Sequence, residues 1–448
     1  MRLISDHVVE GKPGPAFDRA YPTLDGVDLT DLHRFTTGQP WADFARMRAE
    51  APVMWHEEPR DRPGFWAITR YDDVKRVNGD PKAFSSERGG INMALAPPER
   101  RDDQLFRAAM NTMINLDGNP HRQLRKEHMP YFTASYMREL RAKVAAEVTR
   151  RLDAMAPLGK CDFVGMFAGH MPSFTLCEML GVPEEDREKF IRWIHFLEMS
   201  LQIAAEQEGK EQGDLTPELQ GFIALFNHNV GEMFEYGRTM LHQRRREPRN
   251  DLMSAIAHAQ IDGELLPDEY LDGSWLLIVF AGNDTTRNTL SGAMKLFTEH
   301  PDQRARLQTD MTLLPNAVHE ITRMISPVIY MKRIATQDVE IDGQRIAEGE
   351  KVVMWYGAAN RDAAVFADPD RFDITRANAE KNIAFGYGPH ICIGRLAAQV
   401  QLEESYRQIF ARFPDMRWEG DYDVAPNNFV HGIRRLEVAF TPEGKASR

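Results

Sequence analysis

Apolar residues recur at intervals of three and four along most of the chain, with Glu, Arg, Gln and Ala between them, as in amphipathic helices. The long stretches with this spacing are 133–157, 184–205, 217–247, 266–299 and 394–413. Strands are indicated over short segments only: a pair within 53–70 around a Pro/Gly turn, a hairpin at Asp342-Gly343, and Val352 to Trp355. The pattern predicts a mainly α protein with small β-sheets.

The predicted elements follow one another without an internal repeat, a low-complexity linker or a clean domain boundary. Length alone allows from one to about three domains. A chain of 448 residues with 42% hydrophobic residues can bury one large core. We therefore expect a single domain over residues 1–448, with residues 1–20 as a loosely ordered N-terminal arm.

Composition and charge exclude several classes of function. The formal net charge of −12 argues against a nucleic-acid scaffold. No apolar run reaches the roughly 18 residues of a membrane helix, and the first residues lack the apolar segment of a signal peptide. We expect a cytoplasmic protein with no membrane and no nucleic-acid partner.

The cysteines are few and scattered. Cys161, Cys177 and Cys392 form no CxxC pair, so neither a disulfide framework nor a zinc or iron–sulfur site fits. A lone cysteine is by default a small buried apolar residue. Cys392 differs, because Gly386, Gly388 and Gly394 loosen the backbone around it and a predicted helix follows. A helix N-terminus stabilises a thiolate, which can act as a nucleophile or a metal ligand.

The pattern Phe385-x-x-Gly388-x-His390-x-Cys392-x-Gly394 resembles the haem-binding loop of the cytochromes P-450. The resemblance implies a single-domain triangular P-450 fold and haem b as cofactor. It makes Cys392 the axial thiolate ligand of the iron and places Phe385 and Gly386 beneath the haem. His390 would meet a haem propionate. A Rossmann phosphate loop does not fit, because the spacing is not GxGxxG and no βαβ unit surrounds it.

A second motif interrupts an apolar helix. Trp275 to Ala281 is almost wholly apolar, and Gly282 to Thr286 then bring in polar groups that are costly to bury without partners. Taken alone, this is as readily a helix cap as a functional site. Ala281-Gly282-x-Asp284-Thr285 resembles the family's oxygen-activation motif. The resemblance implies O2 as co-substrate, Ala281 beside the haem, Asp284 as proton-relay acid and Thr285 as the hydroxyl at the oxygen site.

Glu320-x-x-Arg323 would by itself be a surface salt bridge of small value. It precedes the cysteine loop by about 70 residues, as does the structural Glu-x-x-Arg pair of the same family. The resemblance implies a buried charged trio, whose third member we expect to be Arg371 in the segment DPDRF.

Three further basic residues match family positions that bind haem propionates. His121 and Arg125 lie four apart on one predicted helix, and Arg333 precedes the hairpin at Asp342-Gly343. Each alone would be a solvated surface charge, but with His390 they are better explained as a clamp for a dianion. Gly118 and Asn119 replace the more usual Pro-rich lead-in to this helix.

The implied activity is insertion of one oxygen atom from O2 into a hydrophobic small molecule, such as a steroid, a terpenoid, an alkane or fatty acid, or an aromatic hydrocarbon. Candidate pocket residues are Met93, Met113, Leu277, Ala281, Val328 and Phe429. The segment after the haem loop is too short for a flavin or ferredoxin module. We therefore expect a monomer that receives electrons from a separate ferredoxin or flavodoxin with an NAD(P)H-dependent reductase, docked near Arg125, Lys126 and Arg395.

Two other classes of function remain open at this point. A non-catalytic haem-thiolate sensor would use Cys392 but would not need Asp284 and Thr285 beside a glycine break. A cysteine hydrolase would use Cys392 as nucleophile with a histidine base, yet His390 is adjacent in sequence and no further triad pattern follows.

Overall fold

Helices form most of the structure, a computed structural model that describes residues 1–12, 14, 21–59, 62–93, 95, 100–199 and 216–443. In chain order the helices are α1 (Trp41–Glu50), α2 (Tyr71–Gly79), α3 (Gln104–Met110), α4 (Gly118–His128), α5 (Ala134–Met155), α6 (His170–Leu180), α7 (Arg187–Glu198), α8 (Pro217–Arg246), α9 (Leu252–Ala257), α10 (Asp268–Ala281), α11 (Asp284–Glu299), α12 (Pro301–Thr309), α13 (Leu314–Ile325), α14 (Tyr356–Ala359) and α15 (Arg395–Arg412). Among the described residues, no helix is long and apolar enough to cross a membrane.

The strands are short and form small sheets. They are β1 (Val53–His56), β2 (Phe65–Ile68), β3 (Phe84–Ser85), β4 (Lys160–Asp162), β5 (Gln260–Ile261), β6 (Glu264–Leu265), β7 (Tyr330–Ala335), β8 (Val339–Ile341), β9 (Gln344–Ile346), β10 (Lys351–Trp355), β11 (Arg417–Val424) and β12 (Ile433–Ala439). The largest sheet has the order β1-β2-β10-β7-β3, and only its β2–β10 pairing is parallel. A second sheet has the order β11-β12-β4, and β5-β6 and β8-β9 are hairpins.

Apolar burial follows this division into helices and sheet. The main core lies among α5, α6, α8, α10, α11, α13 and α15. Two smaller apolar clusters cover the two faces of the five-stranded sheet, since alternate residues of its strands point to opposite sides. The mainly α prediction with small sheets is confirmed.

Most of the predicted elements are present. The stretches 133–157, 217–247 and 394–413 correspond to α5, α8 and α15. The hairpin at Asp342-Gly343 forms because both residues adopt positive φ, of 47° and 73°, which a two-residue turn of this kind requires. The stretch 184–205 contains α7, and its residues 200–205 lie outside the described part of the chain.

The stretch 266–299 is not one helix. α10 ends at Ala281 and α11 begins at Asp284, with Asn283 at φ −111° and ψ −65° between them. A side chain at Gly282 would bring its Cβ to 2.7 Å from the carbonyl oxygen of Ile278, so glycine is required at the break. The polar interruption in the sequence therefore marks a real change in the backbone.

Residues 1–12, which we call the strap, are held against the rest of the protein. The backbone N–H groups of Ile4, Val9 and Lys12 donate to Asn111, Arg88 and Gly349 at 2.7, 2.7 and 2.9 Å. Ile4 is also buried in the main core. The expectation of a loosely ordered arm is therefore wrong for the strap, while residues 13 and 15–20 of that arm lie outside the described residues.

A buried ion cluster joins α13 to the segment that precedes the cysteine loop. Arg323 donates to both carboxylate oxygens of Glu320 at 2.7 and 2.8 Å, and neither side chain is exposed to solvent. The remaining donors of Arg323 bond the carbonyl groups of Asn360 and Pro369. The pair is therefore structural and deeply buried, and it is not a surface bridge.

The third member of the cluster is Arg376, and the expectation of Arg371 is wrong. Arg376 donates from Nε to Glu320 at 3.0 Å and from its other nitrogens to the carbonyl groups of Ala367 and Asp368. Arg371 turns its side chain to solvent and contributes only its carbonyl oxygen, which accepts from Arg323 and Arg376.

The ion cluster generates a first prediction. Arg376→Ala leaves the buried carboxylate of Glu320 short of one cation, so it should lower the free energy of unfolding by about 3 kcal/mol or more. Arg371→Ala keeps the carbonyl group that the cluster uses, and it should cost no more than about 0.5 kcal/mol. Denaturant unfolding of both variants measures the difference. Equal loss of stability in the two variants would show that the Arg371 side chain also belongs to the ion cluster.

Candidate active site

The loop before α15 presents the Cys392 side chain. The N–H of Cys392 donates to the carbonyl oxygen of Phe385 at 2.8 Å, which closes the loop on itself. Gly386 and Gly388 have φ of 74° and 72°, a conformation that other residues rarely adopt. A Cβ at Gly388 would also lie 2.8 Å from the backbone oxygen of Asn78, so the loop packs closely on α2. The glycines are therefore needed for the loop's shape.

The Cys392 thiol is exposed and yet surrounded by protein, as at the base of a concave surface. Burial raises the pKa of the thiol, and the N–H of Gly394 and the charges of Arg125 and Arg395 only partly oppose this effect. The protein alone therefore favours the neutral thiol. A positively charged metal ion at the sulfur would reverse that preference.

The predicted basic residues do come together. The rings of His121 and His390 lie with their centroids 4.1 Å apart, and the side chains of His121, His390 and Arg333 are buried. Burial lowers the pKa of His121 to about 3, and the charges of His390, Arg125 and Arg333 add to this. Arg125 also acts on the thiol of Cys392. We call His121, Arg125, Arg333 and His390 the basic cluster.

One residue of this region was not predicted from the sequence. Asp117 lies with Oδ1 3.7 Å from Nε2 of His390, and it accepts from the hydroxyl of Ser85 at 2.5 Å and from the N–H groups of Ser86 and Glu87. Burial alone would raise the pKa of Asp117, but these hydrogen bonds hold it below its usual value. Its place before α4 suggests a helix cap, yet its side chain makes no cap bond to α4 and faces β3 instead.

The second motif forms a separate group at the α10–α11 break. Asp284 is buried and accepts from Arg287 at 2.5 Å and from Asn288 at 2.9 Å. Asn288 in turn accepts from the N–H of Ile433, so β12 fixes its orientation. The hydroxyl of Thr285 donates to the carbonyl oxygen of Ala281 at 3.3 Å. The carboxylate is therefore held by Arg287 and Asn288, two partners that the motif did not predict.

The solvent exposure of α10 increases at its C-terminal end. Most of its residues from Leu271 to Val279 are buried, whereas Ala281 and Gly282 are exposed. Apolar residues without a covering side chain at the end of a buried helix indicate a surface that a ligand can contact. None of the hydrogen bonds or ion pairs seen in the described ranges joins this group directly to the basic cluster.

Three of the candidate pocket residues meet in one apolar cluster. Met93, Val328 and Phe429 pack together with Phe280 of α10 and Tyr330 of β7. The Met93 N–H donates to the Tyr330 hydroxyl at 3.1 Å, and the rings of Tyr330 and Phe429 are 5.2 Å apart. Met113 and Leu277 lie in or against the main helical core instead. Met93, Val328 and Phe429 thus lie together in an apolar cluster on one face of the five-stranded sheet, and their place in a substrate pocket stays a prediction.

Comparison with known proteins gives one consistent result. The family model described as Cytochrome P450 matches residues 64–419. A steroid C26-monooxygenase of Mycobacterium tuberculosis is 35% identical over 93% of this chain and 97% of its own length. A linalool 8-monooxygenase of Pseudomonas putida is 30% identical over 94% of this chain and 100% of its own length. A solved cytochrome P450 of Mycobacterium marinum in complex with pseudoionone is 32% identical, with a TM-score of 0.82 over 95% of this chain and 100% of that one.

The depressed pKa of His121 generates a prediction for the protein without cofactor. Since the folded pKa of about 3 lies below the ordinary 6.5, the neutral ring stabilises the fold above pH 6.5, and this contribution is lost as the pH falls toward 3. His121→Gln should therefore reduce the loss of stability between pH 6.5 and 4 by at least about 1 kcal/mol. Urea unfolding at each pH measures the slope. His33→Gln, at an exposed histidine, should leave the slope unchanged; equal slopes in all three proteins would contradict the assignment.

Proposed function

The chain belongs to the cytochrome P450 family, and we propose that it is a haem-thiolate monooxygenase that hydroxylates a hydrophobic small molecule of the steroid or terpenoid class. Its relatives in the family are monooxygenases, and the family model covers most of the chain. One observation carries the assignment of the site: the exposed Cys392 lies close to Arg125, and Arg125, Arg333 and His390 gather around His121, where Asp117 is the carboxylate that acts on them.

The residues present fit a haem group. The Nδ1 atom of His390 is buried and has no hydrogen-bond partner among the described residues. Burial makes the charges of Arg125 and Arg333 costly unless an anion meets them, and the two haem propionates would supply that anion and accept hydrogen bonds from the two histidines. In this proposal Cys392 ligates the iron, and His121, Arg125, Arg333 and His390 bind the propionates.

Haem bound through a thiolate supplies the chemistry of oxygen activation. The chain's own residues fix the ligand and control protons. The backbone hydrogen bond from Cys392 to Phe385 holds the cysteine in place. The N–H groups of Gly394 and Arg395 stabilise the negative charge of its thiolate. Exposed Ala281 and Gly282 would leave room for a ligand at the end of α10.

We assign proton delivery to Asp284 and Thr285. Arg287 and Asn288 both donate to Oδ1 of Asp284, so a proton that passes through this oxygen requires the exchange of one of these hydrogen bonds. The Thr285 hydroxyl donates to the Ala281 carbonyl at 3.3 Å, and a hydroxyl on a short side chain can turn to donate to another acceptor instead. The hydroxyl then donates a hydrogen bond at the place where oxygen is reduced.

The apolar cluster of Met93, Phe280, Val328 and Phe429 supports a hydrophobic substrate. The relatives named for steroid and linalool oxidation, and the neighbour bound to pseudoionone, favour a steroid or terpenoid. A panel of steroids, terpenes, fatty acids and aromatic hydrocarbons, scored for the haem absorption shift on binding, tests the substrate class. A shift given by fatty acids alone would contradict it.

We also propose a ferredoxin or flavodoxin, served by an NAD(P)H-dependent reductase, as electron donor. Arg125 and Arg395 lie close to the Cys392 thiol, and Arg122 and Lys126 are exposed on the same helix as Arg125. A basic surface beside the haem ligand suits an acidic electron carrier. The cytoplasmic location and the monomeric state stay predictions.

Ligation is tested by the carbon monoxide complex of the reduced protein. The parent should show the long-wavelength Soret band of thiolate-bound haem, and Cys392→Ala should abolish it, because no other described cysteine lies in the loop. Cys161→Ala and Cys177→Ala should keep the band, since burial raises the pKa of both thiols, to about 11 and about 12. Persistence of the band in Cys392→Ala would remove this residue as the ligand.

Proton delivery is tested by two substitutions with different expected outcomes. Thr285→Ala should keep haem ligation and substrate binding, yet release hydrogen peroxide instead of product, so product per NAD(P)H should fall severalfold. Thr285→Ser restores the hydroxyl and should restore coupling. Asp284→Asn should instead slow turnover by about a hundredfold, since the relay loses its acid. A Thr285→Ala enzyme as well coupled as the parent would exclude this threonine from the mechanism.

A further inference from the structure

The strap crosses the protein on the side of the basic cluster. The Tyr270 hydroxyl donates to the Arg2 carbonyl at 2.8 Å, which ties the strap to α10. Asn111, directly after α3, accepts from Ile4 and donates to the hydroxyl of Ser5 at 3.0 Å. The N–H of Val9 donates to the Arg88 carbonyl. Hydrogen bonds therefore hold the strap to α10, to the end of α3 and to the segment after β3.

A polar cavity of about 350 Å³ lies beneath the strap. The strap supplies one wall with Arg2, Ile4 and His7, and the segment after β3 supplies another. The carboxylate of Asp117 lines the same cavity. The strap therefore covers one side of this cavity.

Asp117 connects this cavity to the basic cluster. One of its oxygen atoms faces His390, and the same carboxylate accepts from Ser85 and from two backbone N–H groups after β3. These bonds fix the carboxylate in one orientation. The His390 ring is thereby held between Asp117 on one side and the ring of His121 on the other.

We propose that Asp117 is a positioning residue that orients His390 toward the cofactor's carboxylates, and that the strap closes the polar cavity outside it. Together they limit how fast haem leaves the protein and how much water reaches its propionate edge. The inference rests on the proposed haem site. It adds a carboxylate and a peptide segment that none of the sequence motifs contains.

Asp117→Asn tests the positioning role. The N–H groups of Ser86 and Glu87 donate to different oxygens of Asp117, so the amide of equal size keeps an acceptor for only one of them, and the negative charge beside His390 is lost. Haem transfer to excess apomyoglobin should become at least threefold faster. The haem reduction potential should move to more positive values, because loss of a nearby negative charge favours the reduced, more negative haem. Asp31→Asn, at an exposed carboxylate, is the matched control and should change neither quantity.

The strap is tested by a variant that keeps the whole chain. Val9→Pro removes the donor to the Arg88 carbonyl, and Val8 already has φ −66° and ψ 133°, which a following proline accepts. Combined with Tyr270→Phe, it removes two of the hydrogen bonds that hold the strap, and haem transfer should again become at least threefold faster. Val9→Ala, at an exposed side chain, should match the parent. Deletion of residues 1–12 should give a larger increase than the double variant.

The outcomes separate this inference from the proposed function. A parent protein without the thiolate Soret band would overturn the haem site itself. A parent with the band, whose variants transfer haem at the parent rate and keep its potential, would overturn the inference alone. A lower melting temperature with unchanged transfer rate and potential would assign Asp117 and the strap a purely structural role, and would also overturn it.

Discussion

The electrostatics of the basic cluster set the constraint on which the site depends. His121, Arg125, Arg333 and His390 lie close to one another beside a thiol, and the only carboxylate found next to them in the described ranges is Asp117. Gathering such groups costs free energy that the protein recovers only when an anionic ligand arrives. The fold must therefore be stable enough without the ligand to hold this arrangement open. The buried cluster of Glu320, Arg323 and Arg376 provides rigidity close to the cysteine loop, where it fixes the segment from 360 to 376.

Sequence reasoning predicted the parts of the fold and site that depend on local spacing. Helical periodicity located α5, α8 and α15, and paired glycines and a basic residue located the loop of Cys392. It failed where irregular backbone decides which way a side chain points. Arg371 and Arg376 are five residues apart in a segment without regular structure, and only the folded turn shows that Arg376 faces Glu320. Asp117 was missed for the same reason, since its partners come from a distant strand end.

The strap shows a different limit of sequence reasoning. Its residues carry no periodic pattern, so a loosely ordered segment was the reasonable expectation. The fastening comes from backbone N–H and carbonyl groups that meet Asn111, Arg88 and Gly349. Almost every residue has such groups, so the sequence does not indicate which of them form hydrogen bonds to distant parts of the chain. Segments held by backbone hydrogen bonds to distant residues are therefore visible only in the structure.

The two functional groups of the site handle charge in opposite ways, and this division follows from their tasks. In the basic cluster, Arg125 and Arg333 have few anionic partners among the described residues, which suits the permanent binding of a dianion that we propose. At the α10–α11 break, by contrast, Asp284 has two partners, Arg287 and Asn288, which suits the role we propose for it, a group that acts at only one stage of a cycle. A free buried carboxylate would be protonated or would draw in water at all times. In the relay that we propose, Asp284 would be released by movement of Arg287, its ion-pair partner on the same helix.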